Sequence, residues 1–146
     1  MNEINLGARL SELIIENRID VKTLCEALKL SKMTVYRYLS NQRKPNYDIL
    51  VAIADYFKCS IDFLVGISEE NYPTNSSDIK FHERFINLLK QDGITEYKLI
   101  KDTHISRSLF YSWVKGKSRP NVFNLVKLAQ YLDCSIDYLV GREDCN

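Results

Sequence analysis

The sixteen residues from Lys29 to Lys44 hold five basic side chains and no acidic one: Lys29, Lys32, Arg37, Arg43 and Lys44. His104 to Arg119 repeats the arrangement with Arg107, Lys115, Lys117 and Arg119, again without an acid. Cations lacking local counter-charges suit a polyanion such as a phosphate backbone. In the first block Lys32, Met33, Thr34, Tyr36 and Arg37 are candidates to reach base edges or phosphates. Lysine or arginine takes guanine O6 and N7, and threonine or methionine meets the thymine methyl. Arg107, Ser108, Leu109, Tyr111 and Ser112 are the candidates in the second block. Arg43, Lys44, Lys117 and Arg119 suit phosphates, contacts that position a protein without specifying sequence.

What must position these residues is a unit that occurs twice. Leu6 to Gly66 lies over Phe81 to Gly141 at a constant offset of 75 residues, with 19 of 61 positions identical. SIDFLVG (Ser60 to Gly66) returns as SIDYLVG (Ser135 to Gly141), and YRYLSNQRKPN (Tyr36 to Asn46) as YSWVKGKSRPN (Tyr111 to Asn121). A repeat of this length is a domain rather than a solenoid turn. The segment Ser68 to Asp78, SEENYPTNSSD, is polar, acidic and aperiodic. It reads as a linker. The expected organisation is domain 1 at 1–67, linker at 68–78 and domain 2 at 79–146.

Each unit reads as five helices. Leu6, Leu10, Leu13 and Ile14 form one stripe of a first helix ending near Asn17. Asp20 caps Val21 to Leu28, which turns Leu24 and Cys25 inward; Ser31 caps Lys32 to Ser40, with Val35 and Leu39 inward. Asn41 ends that helix and Gly116 replaces it in the second copy, both types that tolerate the left-handed conformation. Tyr47 to Phe57 buries Leu50, Ile53, Ala54 and Phe57, and a short last helix follows Ser60. Three residues separate the second and third helices, Lys29-Leu30-Ser31 and His104-Ile105-Ser106. That is helix-turn-helix spacing. The usual turn glycine is replaced by Lys29 and His104, so positive φ is expected at both. Trp113 is expected to close the second core.

Other chemistries find little support. His82 and His104 have no partner at metal-ligand spacing, and no phosphate-cradling glycine loop occurs. Ser60 and Ser135 read as caps, Asp62 and Asp137 as first-turn acids, and Cys59 and Cys134 as buried thiols. No catalytic residue, cofactor or metal is expected. Formal charge is +1, from 20 basic and 19 acidic residues. Residues 1–68 carry +1, 69–78 carry −3 and 79–146 carry +3. No run of 18 apolar residues would span a membrane. Met1-Asn2-Glu3 opens no signal segment, which points to a cytoplasmic protein.

With the helix-turn-helix spacing, the Ser opening the third helix, the basic proline-containing loop and the Cys-Ser-Ile-Asp-Phe/Tyr-Leu-Val-Gly ending in place, the chain resembles the phage-repressor or Cro-like (Xre) family of transcription regulators. The resemblance covers both copies. It implies an all-α fold of two tandem five-helix lambda-repressor-like domains that bind double-stranded DNA in sequence-specific fashion as a bacterial or phage repressor. Family members pair on half-sites about one helical turn apart, ~34 Å, which makes a homodimer a candidate partner. No membrane and no small-molecule effector are implied. The chain departs from the family at Val21 and Glu96, where a phosphate-binding glutamine is usual, and at Cys25 and Ile100, where alanine is usual. The competing expectation is a protein-interaction module using Ile61/Phe63 and Ile136/Tyr138 as its surface.

All four cysteines are expected to remain thiols, with Cys25, Cys59 and Cys134 slow to alkylate and Cys145 fast. Timed alkylation read by mass spectrometry checks this, and a native intrachain disulfide would contradict the cytoplasmic assignment.

Overall fold

The computed structural model describes residues 4–72 and 79–143. The chain divides into two compact units, Met1–Pro73 and Thr74–Asn146. The first contains α1 (Leu6–Glu16), α2 (Val21–Leu28), α3 (Lys32–Leu39), α4 (Tyr47–Phe57) and α5 (Ile61–Leu64). The second contains α6 (Phe81–Asp92), α7 (Glu96–Thr103), α8 (Arg107–Val114), α9 (Val122–Tyr131) and α10 (Ile136–Leu139). The described residues form helices and no strand, so the fold is all-α.

Capping explains why the last four helices of each unit start in register. Asp20, Ser31, Asn46 and Ser60 each accept a hydrogen bond from the backbone three residues on. Thr95, Ser106, Asn121 and Ser135 do the same at equivalent positions. Each cap satisfies an orphan amide and is worth about 1 kcal/mol. The repeated ending has an equally local cause. Ile61, Leu64 and Val65 are buried, and Gly66 then adopts φ +85 beside Asn5, whose amide donates to the Val65 carbonyl at 2.9 Å. Gly141 takes the same backbone conformation at φ +86, and a Cβ there would lie 2.3 Å from the Ile79 carbonyl oxygen. Only glycine fits both constraints.

Each unit closes over its own core. The first buries Leu6, Leu10, Leu24, Val35, Tyr38 and Leu50. The second puts Phe81, Phe85, Phe110 and Trp113 where the first has Leu6, Leu10, Val35 and Tyr38. Phe85 meets Trp113 edge-on at 6.1 Å and Phe110 at 5.8 Å. Edge-to-face pairs add to plain area burial.

Several expectations need correction. The inward residues of α3 are Val35 and Tyr38, whereas Leu39 is only half-buried. Residues three apart share the face toward the core, and the fourth falls on its margin. Cys25 and Cys59 are buried but Cys134 is half-buried, so Cys134 should alkylate at an intermediate rate; Cys145 lies outside the described residues. No disulfide joins the described cysteines. Ile61 and Ile136 are fully buried, and the Phe63 and Tyr138 rings are covered by the Arg9 and Arg84 guanidiniums at 3.8 Å. These four are core and its lid, not an exposed interaction surface. Ser68 to Asn71 return to the first unit: the Ser60 amide donates to Asn71 Oδ1 at 3.1 Å, and Arg9 lies 3.6 Å from Glu69. Residues 73–78 of the expected linker lie outside the described residues.

One contact shows how tightly the first unit is closed. The Gly7 amide donates to Asn41 Oδ1 at 3.0 Å, and a Cβ on Gly7 would sit 2.5 Å from the Leu39 carbonyl oxygen. In the second unit the roles reverse: His82 replaces Gly7, and the glycine is Gly116, whose added Cβ would meet the His82 ring at 3.2 Å. Gly7→Ala is expected to destabilise the first unit by about 1–3 kcal/mol through overpacking. Thermal unfolding of this variant checks it.

Tyr38 gives a second expectation. Its hydroxyl is buried without a hydrogen-bond partner, and burial pushes the phenol above its ordinary range, with the Arg43 charge opposing. The unfolded phenol ionises near pH ~10. Above that pH the unfolded state releases a proton that the folded state retains, so stability is intact below pH ~10 and falls as pH rises. Tyr131 on α9 acts in the same direction, pushed up to about 12 by its hydrogen bond to Asp102. Tyr38→Phe should leave neutral-pH stability unchanged or raise it by up to about 1 kcal/mol. It should also flatten part of the alkaline loss, as read by denaturant titration at pH 7 and near pH 11.

Candidate nucleic-acid interface

The turn between α2 and α3 is made without glycine. Lys29 takes φ +56 and His104 φ +60, so both non-glycine residues adopt the expected left-handed conformation. The Leu30 amide donates to the Cys25 carbonyl at 3.0 Å, which ends α2 and sends the chain into the Ser31 cap. Ser31 Oγ also lies 2.8 Å from Thr34 Oγ1.

Burial of Val35 and Tyr38 fixes which side of α3 faces solvent. Lys32, Met33, Tyr36 and Arg37 are exposed, and Thr34 is half-buried. Met33 is 63% exposed and Tyr36 55%, so both large side chains stand clear of the core. The loop after α3 folds back on it: the Gln42 and Arg43 amides both donate to the Arg37 carbonyl, at 2.9 and 3.3 Å. Arg43 is thereby held at the end of the exposed face, with Lys44 half-buried next to it. Lys32, Arg37 and Arg43 make no ion pair with the described residues, so their charge is available to an anion.

The second unit uses the same frame with different electrostatics. Arg107, Ser108, Leu109 and Tyr111 are exposed on α8, as are Lys117 and Arg119 in the following loop. Ser112 is half-buried and turned to that loop: its hydroxyl lies 2.6 Å from Ser118 Oγ, and its carbonyl accepts from the Lys117 amide at 2.9 Å. Trp113 is fully buried, as expected. Glu96, the first residue of α7, reaches across to α8. Its Oε1 lies 3.0 Å from Arg107 Nε, and its Oε2 accepts from the Tyr111 hydroxyl at 2.7 Å. The Tyr111 hydroxyl and the Glu96 carboxylate both favour the charged guanidinium, raising its pKa further. Residue types identify Glu96 only as a poor phosphate ligand. Its pairing depends on two helix starts being adjacent in space, eleven residues apart in the chain.

Asp102 ties α7 to α9, accepting from the Tyr131 hydroxyl at 2.7 Å and pairing with Lys98 at 3.2 Å. The Tyr131 bond is the main cause holding this carboxyl below its ordinary range, with Lys98 adding to it. His82 packs on Gly116, and His104 is the left-handed residue that ends α7. Among the described residues no three His, Cys, Asp or Glu side chains cluster as metal ligands, and no helix is long and apolar enough to cross a membrane.

Residues 9–70 and residues 84–144 each match the Cro/C1-type HTH DNA-binding domain. A curated relative, the cryptic phage CTXphi transcriptional repressor RstR of Vibrio cholerae serotype O1, is 34% identical over 64 residues. The match covers 44% of this chain and 57% of the relative, so little more than half of that repressor is represented. A solved transcriptional regulator from Listeria innocua is 24% identical, with 82% of this chain and 100% of that one covered. Its TM-score is 0.43, too low for the likeness to bear on the fold.

Proposed function

The chain belongs to the Cro/C1-type helix-turn-helix DNA-binding family, and on that premise we propose that it is a sequence-specific binder of double-stranded DNA that represses transcription, of phage or bacterial type. The observation that carries the proposal is the run of exposed basic side chains on the third helix and following loop of each unit, acid-free in the first and joined by one carboxylate, Glu96 of α7, in the second. Lys32, Met33, Thr34, Tyr36 and Arg37 meet base edges or nearby phosphates, while Arg43 and Lys44 hold the backbone. Arg107, Ser108, Leu109 and Tyr111 do the corresponding work in the second unit, with Lys117 and Arg119 on phosphates. Ser112 contributes through the loop that it ties to the helix. The repressor half of the reading is supported by the 34% identity to a phage transcriptional repressor. The protein acts in the cytoplasm, where its duplex is. Residues 1–67 and 79–146 hold the two heads, Ser68 to Asn71 lie on the first, the rest of 68–78 joins them, and pairing of two chains adds symmetry to the bound complex.

Selection of bound duplexes from a random pool tests this reading with the full chain. Arg43→Ala/Lys44→Ala is expected to weaken binding to every duplex and to lower the salt dependence by about 2 units of slope. Arg37→Ala should instead relax preference at a particular base pair, costing about 1–3 kcal/mol on the selected site. Unchanged non-specific affinity at low salt in the double variant would overturn the phosphate assignment. Failure of the wild-type chain to enrich any sequence would overturn sequence-specific recognition.

A further inference from the structure

The second unit contains a closed ring of three side chains that the first unit lacks. Arg107 Nε lies 3.0 Å from Glu96 Oε1, Arg107 Nη2 donates to the Tyr111 hydroxyl at 3.5 Å, and that hydroxyl donates to Glu96 Oε2 at 2.7 Å. The guanidinium carbon stands 5.5 Å from the Tyr111 ring centre, so the ring also flanks the cation. Glu96 sits at the positive end of α7, where a carboxylate is favoured. Its side chain is 30% exposed and that of Arg107 is 73% exposed, so the acid is rooted and the base projects. In the first unit Val21 and Lys32 occupy the equivalent positions. Valine provides no acceptor, and lysine has no planar fork to be held.

A guanidinium offers two bidentate edges, Nε with Nη2 and Nη1 with Nη2. The ring uses the first. The second retains three N–H donors, and its paired donors match guanine O6 and N7. We propose that Glu96 is a positioning residue: with Tyr111 it holds Arg107 by the Nε/Nη2 edge, so that the Nη1/Nη2 end reads a guanine in the second unit's site. An exposed arginine has many rotamers to lose on binding. One that is already held loses fewer, and approaches the base at a set angle. Glu96 therefore replaces a phosphate contact at the start of α7 with control over a base contact made from α8. The inference rests on the proposed reading of α8 as a base-contacting helix.

The test compares Glu96→Ala, Tyr111→Phe, Arg107→Ala and Glu96→Ala/Arg107→Ala in the full chain, by duplex selection and by titration of the selected duplex and single-base variants. Arg107→Ala is expected to abolish a guanine preference at one base pair by about tenfold or more. Glu96→Ala should weaken preference at that same pair and no other, with Tyr111→Phe acting in the same direction. The double variant should be no worse there than Arg107→Ala alone. Thermal unfolding of Glu96→Ala should stay close to wild type, because exposed ion pairs contribute little to stability. If Glu96→Ala raises affinity for all duplexes and leaves base preference intact, the ring is a lock on Arg107 and the positioning role is overturned. Additive losses in the double variant overturn it as well. If Arg107→Ala shifts no base preference, the failure lies in the underlying assignment of α8, and the proposal falls with it.

Discussion

An isolated helix of eight residues has too few hydrogen bonds to persist in water. α3 and α8 are such helices, and each is held by two side chains on one face, Val35 with Tyr38 and Phe110 with Trp113. Burying that pair does more than stabilise the helix. It fixes its rotation, and rotation decides which side chains face outward. Lys32, Met33, Tyr36 and Arg37 are presented together because Val35 and Tyr38 are not available to solvent. The loop that bonds back to the Arg37 or Ser112 carbonyl then sets where the following cations stand. The basic face of each unit thus follows from apolar packing behind it.

The two cores reach this result by different means. Four equivalent positions carry Leu, Leu, Val and Tyr in one unit, and Phe, Phe, Phe and Trp in the other. The helices nevertheless begin at matching residues, since the caps that start them are set by Asp or Thr, Ser and Asn rather than by the core. Both large aromatics at the centre bury a polar atom without a partner, Tyr38 Oη and Trp113 Nε1. That costs each unit some stability. The second unit adds buried charge, with Arg142 paired to Asp137, where the first has Ile67 and Asp62. Removing one partner of such a pair leaves the other charge uncompensated.

Much of this architecture is legible in the sequence because its determinants are local. A cap residue, an apolar spacing of three or four, or a residue tolerant of positive φ each acts within one turn of chain. Hence Asp20, Ser31 and Ser60 mark true helix starts, and Lys29 and His104 take the conformation their position demands. What escapes the sequence is long-range. Choosing Tyr38 over Leu39 requires knowing the direction of the core, and composition cannot reveal that Asn71 bonds to the Ser60 amide. The union of Glu96 with Arg107 and Tyr111 likewise arises only when two helix starts meet. The candidate face was therefore readable as a set of residue types. The electrostatic difference between its two versions was not.

The reversed contact at the first helix ties two distant positions together within each half. Gly7 leaves room for Asn41, while Gly116 leaves room for His82. A genetic crossover between the halves that fell between these paired positions would produce one of two hybrids. One would place a histidine against asparagine where Gly7 leaves no space beside the Leu39 carbonyl oxygen; the other would set glycine opposite glycine and leave a gap. Either hybrid would pack less well at this contact than the pairs the chain carries. The two positions thus form one packing unit, in which the residue types found in a half belong together.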